Sequence, residues 1–288
     1  MTDDQDRPLG LAHRAMRRLV QKFGRRWSDQ ALLAEVESLR TRIDNLSLVR
    51  SAAELDGEFA CAMPGSGEQR RLYRSRFTMA WADEFGVAPR VIFDIGAYDG
   101  GDSIRFKQKF SGARVVSFEA DPDRYAVVAG NVRPFGGEPV NAAICDRDGP
   151  VTWYQSHDGR FADAKTGSQG SLYRHSAAFA RRFDFIRQSN TPITVEGFRI
   201  DTFCRGAGID EIDIAHIDVE GAEYEVVAGF GAILPKLIYV EAAPFDFWIG
   251  ARHPRELHQK LSSLGYLIAL DLANDRLYVR ADLLRCRS

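Results

Sequence analysis

From about Arg70 onward, short apolar runs alternate with amphipathic segments, a pattern that predicts strands separated by helices. The strand-like runs are Val91–Ile95, Ala113–Phe118, Val140–Cys145, Val151–Tyr154, Ile214–Val219 and Leu237–Ala242. Between them, "RRLYRSRFTMAWADEF", Asp102–Phe110, Pro122–Val132, a segment after Val219 and Pro254–Leu264 have helical periodicity. The C-terminal "GYLIALDLANDRLYVR" reads as a hairpin turning at Ala273, Asn274 and Asp275. Such alternation implies an α/β fold, a mostly parallel, doubly wound sheet covered on both faces. The closing hairpin adds an antiparallel strand to it.

The first 70 residues follow other patterns. Residues 1–28 form a basic amphipathic segment, with Met16, Leu19, Val20, Phe23 and Trp27 at helical spacing among six arginines and lysines from Arg14 to Arg26. Two readings stay open for it: contact with an anionic membrane surface, or a helix docked on the protein with its arginines solvated. Residues 29–55 carry Leu32, Val36, Leu39, Ile43 and Leu46 in alternating steps of four and three, a short coiled-coil-like seam. Burial of that seam favours a homo-oligomer. Residues 56–69, with Pro64, Gly65 and Gly67, read as a linker to the alternating domain at 70–288.

Composition narrows the picture little. The 288 residues are 45% hydrophobic and 27% charged, with a net charge of -2, which argues against a polyanion-binding protein. Four scattered cysteines form no CxxC pair and fit a reducing compartment. No signal-peptide pattern or spanning run is apparent, so the expectation is a cytoplasmic protein, with the inner face of a membrane as a possible site.

Chemistry concentrates in "VIFDIGAYDGGDS". It places Asp94, Gly96, Ala97, Tyr98, Asp99, Gly100 and Ser103 where doubly wound sheets bind ligands, beyond the carboxyl end of the first strand. Gly96 would let the backbone approach a ligand, Gly100 suits a left-handed turn, and Asp102 or Ser103 would cap the next helix. The spacing departs from GxGxxG. Asp94 and Asp99 make the turn acidic, which repels a pyrophosphate and favours a sulfonium with an amino group. Glu119 and Ala120 end the second strand, where a carboxylate meets ribose hydroxyls. Asp146, past the third strand, is a candidate for the adenine amino group or an ordinary turn residue.

With "VVSFEADP" and "IDVEGAEYEVVAGF", this turn resembles the FkbM family of S-adenosylmethionine-dependent methyltransferases over about Val91 to Ala242. Two departures stand out: the family usually has lysine where His216 stands and Glu-Pro where Glu119-Ala120 stands. The resemblance implies a Rossmann-like class I methyltransferase fold, whose sheet ends in the antiparallel hairpin. It also implies O-methylation of a sugar, glycan, glycolipid or related secondary metabolite.

That chemistry needs a proton acceptor beside the transferred methyl. Asp218 and Glu220 close the fourth parallel strand and are candidate bases; His216 shares their face if strand alternation continues, and is otherwise a histidine packed under the sheet, the favoured case. With Glu241 they are also a candidate oxygen-ligand set for a divalent metal, which the sequence does not require. For Glu223 the favoured role is a first-turn acid complementing its helix dipole. The polar stretch Ser156–Arg174 is expected to form a lid or acceptor pocket. His157, Ser168, Ser171, Arg174 and His175 are its candidate hydroxyl partners, with Trp153 and Tyr173 as stacking surfaces. Two rivals remain: an NAD(P)-dependent oxidoreductase, and a non-catalytic methyltransferase-fold scaffold. Nothing in the domain pairs a basic patch with aromatics as nucleic-acid binding would require.

Overall fold

The structure, a computed structural model, describes residues 79–160, 167–242, 247–272 and 275–285. The N-terminal basic segment, the leucine seam, the linker, most of the first predicted helix and the first two hairpin-turn residues, Ala273 and Asn274, lie outside these residues. Of that first helix, Ala80–Glu84 (α1) is described.

The central sheet contains β1 (Val91–Ile95), β2 (Arg114–Glu119), β3 (Glu138–Asn141), β4 (Ile214–Ile217), β5 (Leu237–Glu241), β6 (Tyr266–Leu272) and β7 (Asp275–Arg280). Their order is β6-β7-β5-β4-β1-β2-β3. Neighbours from β5 to β3 pair parallel, while β7 runs antiparallel to both β5 and β6. This is the predicted parallel sheet with an antiparallel hairpin. β4 is buried at every position, as are all but the first residue of β1 and β2, which is why these strands read as continuous apolar runs.

The crossovers are α2 (Gly101–Lys109), α3 (Pro122–Val132), α4 (Ile200–Ala207), α5 (Glu223–Ala228) and α6 (Pro254–Ser263). α3 starts where the sequence specifies it: Asp121 accepts from the Asp123 and Arg124 N–H groups, and Pro122 follows at the first helical position. α6 opens with a capping box between His253 and Glu256. One core cluster joins Phe93, Phe118, Ala215, Ile238 and Tyr278 from the sheet to Ile200 of α4, Val226 of α5 and Leu261 of α6.

The predicted third and fourth strands are not continuous sheet members. The run Val140–Cys145 splits: β3 ends at Asn141, and Ala143–Ile144 pairs instead with Ile193–Phe198. Gly149–Trp153 adds antiparallel to the same partner, making a separate three-stranded sheet. The partner "ITVEGF" went unrecognised because it alternates too briefly inside a polar stretch.

One buried carboxylate fixes the start of β1 to β4. Asp213, 1% exposed, accepts from the Arg90 and Val91 N–H groups at 2.7 and 3.0 Å and from Lys236 Nζ at 2.7 Å. Burial pushes its carboxyl upward, but Lys236 and the two N–H groups outweigh it and hold it below the usual range. Asp213→Ala is expected to cost about 3 kcal/mol in urea unfolding at neutral pH, because two N–H groups and an ammonium lose their acceptor. Because the folded carboxyl titrates low, this contribution is present above the unfolded value and is lost as pH falls through the folded one. The gap between wild type and variant should therefore close in acid.

Candidate active site

The turn after β1 is shaped by main-chain crowding. Gly96 has φ +90°, and a Cβ there would lie 1.8 Å from the Asp218 carbonyl oxygen. Its glycine is thus required by the approach of the chain leaving β4, a constraint additional to the expected approach of a ligand, since Gly96 also lines the cavity described next. The Gly96 and Ala97 N–H groups both donate to Phe118 O, at 3.0 and 2.9 Å. Gly100 takes the expected left-handed conformation at φ +81°. Neither Asp102 nor Ser103 caps α2. Asp99 Oδ1 does so locally, accepting from the Gly101 N–H at 2.8 Å. Asp102 pairs with buried Arg105 at 2.7 Å.

Beyond the ends of β1, β2 and β4 lies a cavity of about 750 Å³, its open mouth included. Ile95, Gly96 and Tyr98 from the turn, Phe118 to Asp121 around the end of β2, and Arg124 of α3 form one wall. Ala142–Ile144, Trp153, Gly167–Gly170 and Leu172 form another, and Asp218, Val219, Glu220 and Ala222 complete it. Among the described residues, four carboxylates (Glu119, Asp121, Asp218 and Glu220) line it, against one cationic side chain, Arg124.

Glu119 is held in place by main-chain donors. Its Oε2 accepts from the Tyr98 N–H and its Oε1 from the Asp121 N–H, both at 2.9 Å. Burial pushes its carboxyl up to about 7, against those bonds and the Arg124 charge and with the Asp121 charge adding. Tyr98 sits at φ +52°, an uncommon conformation for a bulky residue, with Arg124 stacked 4.3 Å over its ring. Glu220 is the other left-handed non-glycine residue, at φ +54°. Ser171 Oγ donates to its carbonyl at 2.6 Å, and the Gln169 amide meets its Oε1. Non-glycine residues in this region persist where their surroundings over-determine them, which is common at ligand sites.

Asp94 and His216 lie beneath the cavity and do not line it. Asp94 is 0% exposed; His216 Nδ1 contacts its Oδ1 at 2.8 Å, and Ser103 Oγ donates to Oδ2 at 2.5 Å. Ser103 also contacts Ser117 Oγ at 2.5 Å. Asp94 and Ser103, read as direct cofactor contacts, thus lie outside the cavity lining, and the burial of His216 fits the packed histidine and not the base. Ala97 is likewise buried away from the lining.

The remaining candidates are sorted the same way. Ala120 lines the cavity; Asp146 does not, its carboxylate pairing with Arg147 at 2.8 Å. Glu241 lies outside the lining, so Asp218, Glu220 and Glu241 do not converge there. Among the described residues no three His, Cys, Asp or Glu side chains gather in a metal-binding cluster.

In the predicted lid, Ser171 pins Glu220, and Arg174 lies 4.6 Å over the Tyr154 ring. His175 Nε2 contacts Gln169 O at 2.9 Å, and its ring stacks 3.7 Å from Phe179. His157 sits in a short antiparallel pair with Arg187. Tyr173 faces Glu225, while Ser168 and Trp153 are in the lining. Glu223 accepts from the Gly221 N–H at 2.8 Å; burial raises its carboxyl to about 8, with the Asp218 and Glu225 charges adding. Asp121, Arg124 and Gln169 were not anticipated. The Asp-Pro helix start in "ADPDR" was a usable signal for the first two; Gln169 had none.

Residues 94–268 match the methyltransferase FkbM domain, and the chain belongs to that family. A relative, 2-O-methyltransferase NoeI of Sinorhizobium fredii (strain NBRC 101917 / NGR234), is 35% identical over 164 residues. The match covers 56% of this chain and 66% of the relative, just under two thirds. Among solved structures, a methyltransferase from Geobacter sulfurreducens aligns with TM-score 0.38 and 16% identity, covering 81% of this chain and 90% of that one. An O-methyltransferase from Bacillus cereus in complex with SAH aligns at 0.36 and 11%, covering 82% and 89%. Scores this low carry no weight for the activity of this chain.

The crowding at Gly96 gives a test of the site's framework. Gly96→Ala should lose about 3 kcal/mol or more in urea unfolding, since both its left-handed φ and the Asp218 carbonyl oppose a methyl group. Wild-type stability in that variant would mean that β1 and β4 separate at little cost.

Proposed function

We propose that this FkbM-family methyltransferase transfers the methyl group of S-adenosylmethionine to a hydroxyl oxygen of a sugar or sugar-bearing acceptor. The observation that carries the cofactor reading is the charge of the cavity. Four carboxylates facing one guanidinium suit a ligand with a sulfonium and an ammonium group. A pyrophosphate would need the N-terminus of α2, but Asp99 already caps it and neither Gly100 nor Gly101 reaches the lining. That disfavours the dinucleotide alternative.

The residues present fit the cofactor. Glu119, with each oxygen anchored by one N–H group, keeps lone pairs for two ribose hydroxyls. Trp153, Ala143 and Leu172 offer an apolar wall for the adenine, and Asp218 or Glu220 would face the cationic end. When bound, the cofactor supplies a methyl carbon already activated by its sulfonium. The chain's part is to align the acceptor oxygen, exclude water and accept the hydroxyl proton. Asp218 and Glu220 are the carboxylates placed for that proton. Oxygen as the accepting atom is supported by the name of the relative, a 2-O-methyltransferase. The sugar rests on the acceptor chemistry of the resemblance and on the polar lid, whose Ser168 and Gln169 face the cavity.

Calorimetry with S-adenosylhomocysteine tests the cofactor reading. Glu119→Gln should weaken binding roughly 10- to 100-fold, the worth of hydrogen bonds to a charged acceptor. Wild type should bind S-adenosylhomocysteine and not NAD; the reverse would reject the reading. Because Glu119 titrates near 7 when the site is empty and ribose prefers the ionised form, binding should release protons in mildly acidic buffer and weaken as pH falls.

Transfer of label from methyl-tritiated S-adenosylmethionine to simple methyl glycosides tests the acceptor. Asp218→Asn should cut the rate by about 10²- to 10⁴-fold if Asp218 takes the proton. An unchanged rate would move that role to Glu220.

A further inference from the structure

We propose that His216 is a positioning residue of the cofactor site: as an imidazolium it holds Asp94 as a carboxylate and so fixes the turn from Gly96 to Gly100. The proposal rests on the cofactor reading above but adds a role that methyl transfer itself does not require.

The geometry is a bolt under the cavity floor. At one level of the sheet, Ser117 of β2, Asp94 of β1, His216 of β4 and Tyr239 of β5 are register neighbours. Asp94 joins three elements: its own strand, β4 through His216 Nδ1, and α2 through Ser103 Oγ. The Gly96–Gly100 turn spans the gap between Asp94 and Ser103, so the carboxylate ties both ends of it. On the other side, the Asp218 N–H donates to Ile95 O at 2.9 Å, and the Asp218 carbonyl packs against Gly96. His216, two residues before Asp218, therefore connects the cofactor turn with the strand end that carries the candidate base.

The need for a proton comes from burial. Asp94 is 0% exposed and His216 3% exposed, so water does not screen the pair. A buried carboxylate that loses its counter-charge is costly even when its hydrogen bonds persist. Around the imidazole lie Asp94, Asp102 and Asp218; the rings of Phe106 and Tyr239 are 6.2 and 6.0 Å away. Asp102 also pairs with Arg105 within α2. Burial works against the charged imidazole, but the Asp94 bond and charge, helped by Asp102 and Asp218, hold it above the ordinary histidine value. The charged pair is therefore held to higher pH than an ordinary histidine would allow, and is lost as pH rises past that raised value.

The test is the pH dependence of S-adenosylhomocysteine affinity, compared with His216→Lys, which supplies a cation whose ordinary titration lies above this range. Between about pH 6.5 and pH 9 the wild-type dissociation constant should rise roughly tenfold more than that of the variant, a typical coupling between linked sites. Glu119, Glu223 and the ligand's amino group also titrate here, but they are common to both proteins and cancel in the ratio. Parallel profiles would overturn the proposal and leave the cofactor reading intact. Failure of the wild type to bind S-adenosylhomocysteine at any pH would overturn both.

A second measurement covers a lysine variant that does not fold. Among the six histidines followed by NMR, the one absent from His216→Gln is assigned to His216. Linkage is reciprocal, so saturating S-adenosylhomocysteine should move its titration midpoint to higher pH. An unmoved midpoint would overturn the proposal.

Discussion

The site depends on how closely β1 and β4 approach where they end. At Gly96 the two chains leave no room for a single carbon, since the Asp218 carbonyl occupies the place of a Cβ. That approach puts the cofactor turn and the Asp218–Glu220 segment against the same cavity. Asp213 clamps the two strands at their start, and Asp94 with His216 clamps them again one level below the cavity. Backbone crowding, not side-chain recognition, thus sets the distance between the two halves of the site.

Given that frame, the cavity charge is decided by which carboxylates reach its lining. Asp94, Asp99 and Asp102 all belong to the acidic turn, yet each is turned inward: to a histidine and a serine, to a helix N-terminus, and to an arginine. The acidity that faces the ligand comes from Glu119, Asp121, Asp218 and Glu220. The preference for a cationic ligand is therefore the one read from the sequence, but it is exerted by other residues. Asp99 contributes indirectly, by occupying the helix end that an anion would have used.

The sheet was legible because its strands are buried on both faces, so composition alone marked them, and the hairpin carried its own turn. Glu119 was legible because a strand end at fixed spacing is a positional signal. His216 had two readings from the sequence, a base beside Asp218 or a histidine packed under the sheet, and its burial fits the second. It lies within β4, where alternation holds, but Asp218 lies past Ile217, where the chain has left the pleat. Residues two apart then no longer share an environment: one is under the sheet edge and the other in the cavity. Gln169 was invisible for a different reason. Its place depends on long-range pairing of a polar loop with Ser156 and Glu220, which no local pattern encodes.

A buried ion pair is usually a poor way to stabilise a fold, since a hydrophobic pair of similar volume is often neutral or better. The strand neighbours of Asp94 and His216, namely Phe93, Ile95, Ala215 and Ile217, are apolar and alternate to the opposite face of the sheet. On its own face the His216 ring has the rings of Phe106 and Tyr239 beside it, surroundings in which an apolar pair would also pack. What an apolar pair would not do is bond the Ser103 hydroxyl, and through it anchor α2 to β1 across the glycine turn. Directional bonds hold a turn in one conformation where dispersion contacts allow several. The polar layer is best understood as a cost accepted for a rigid cofactor turn, and its dependence on one proton follows from that choice.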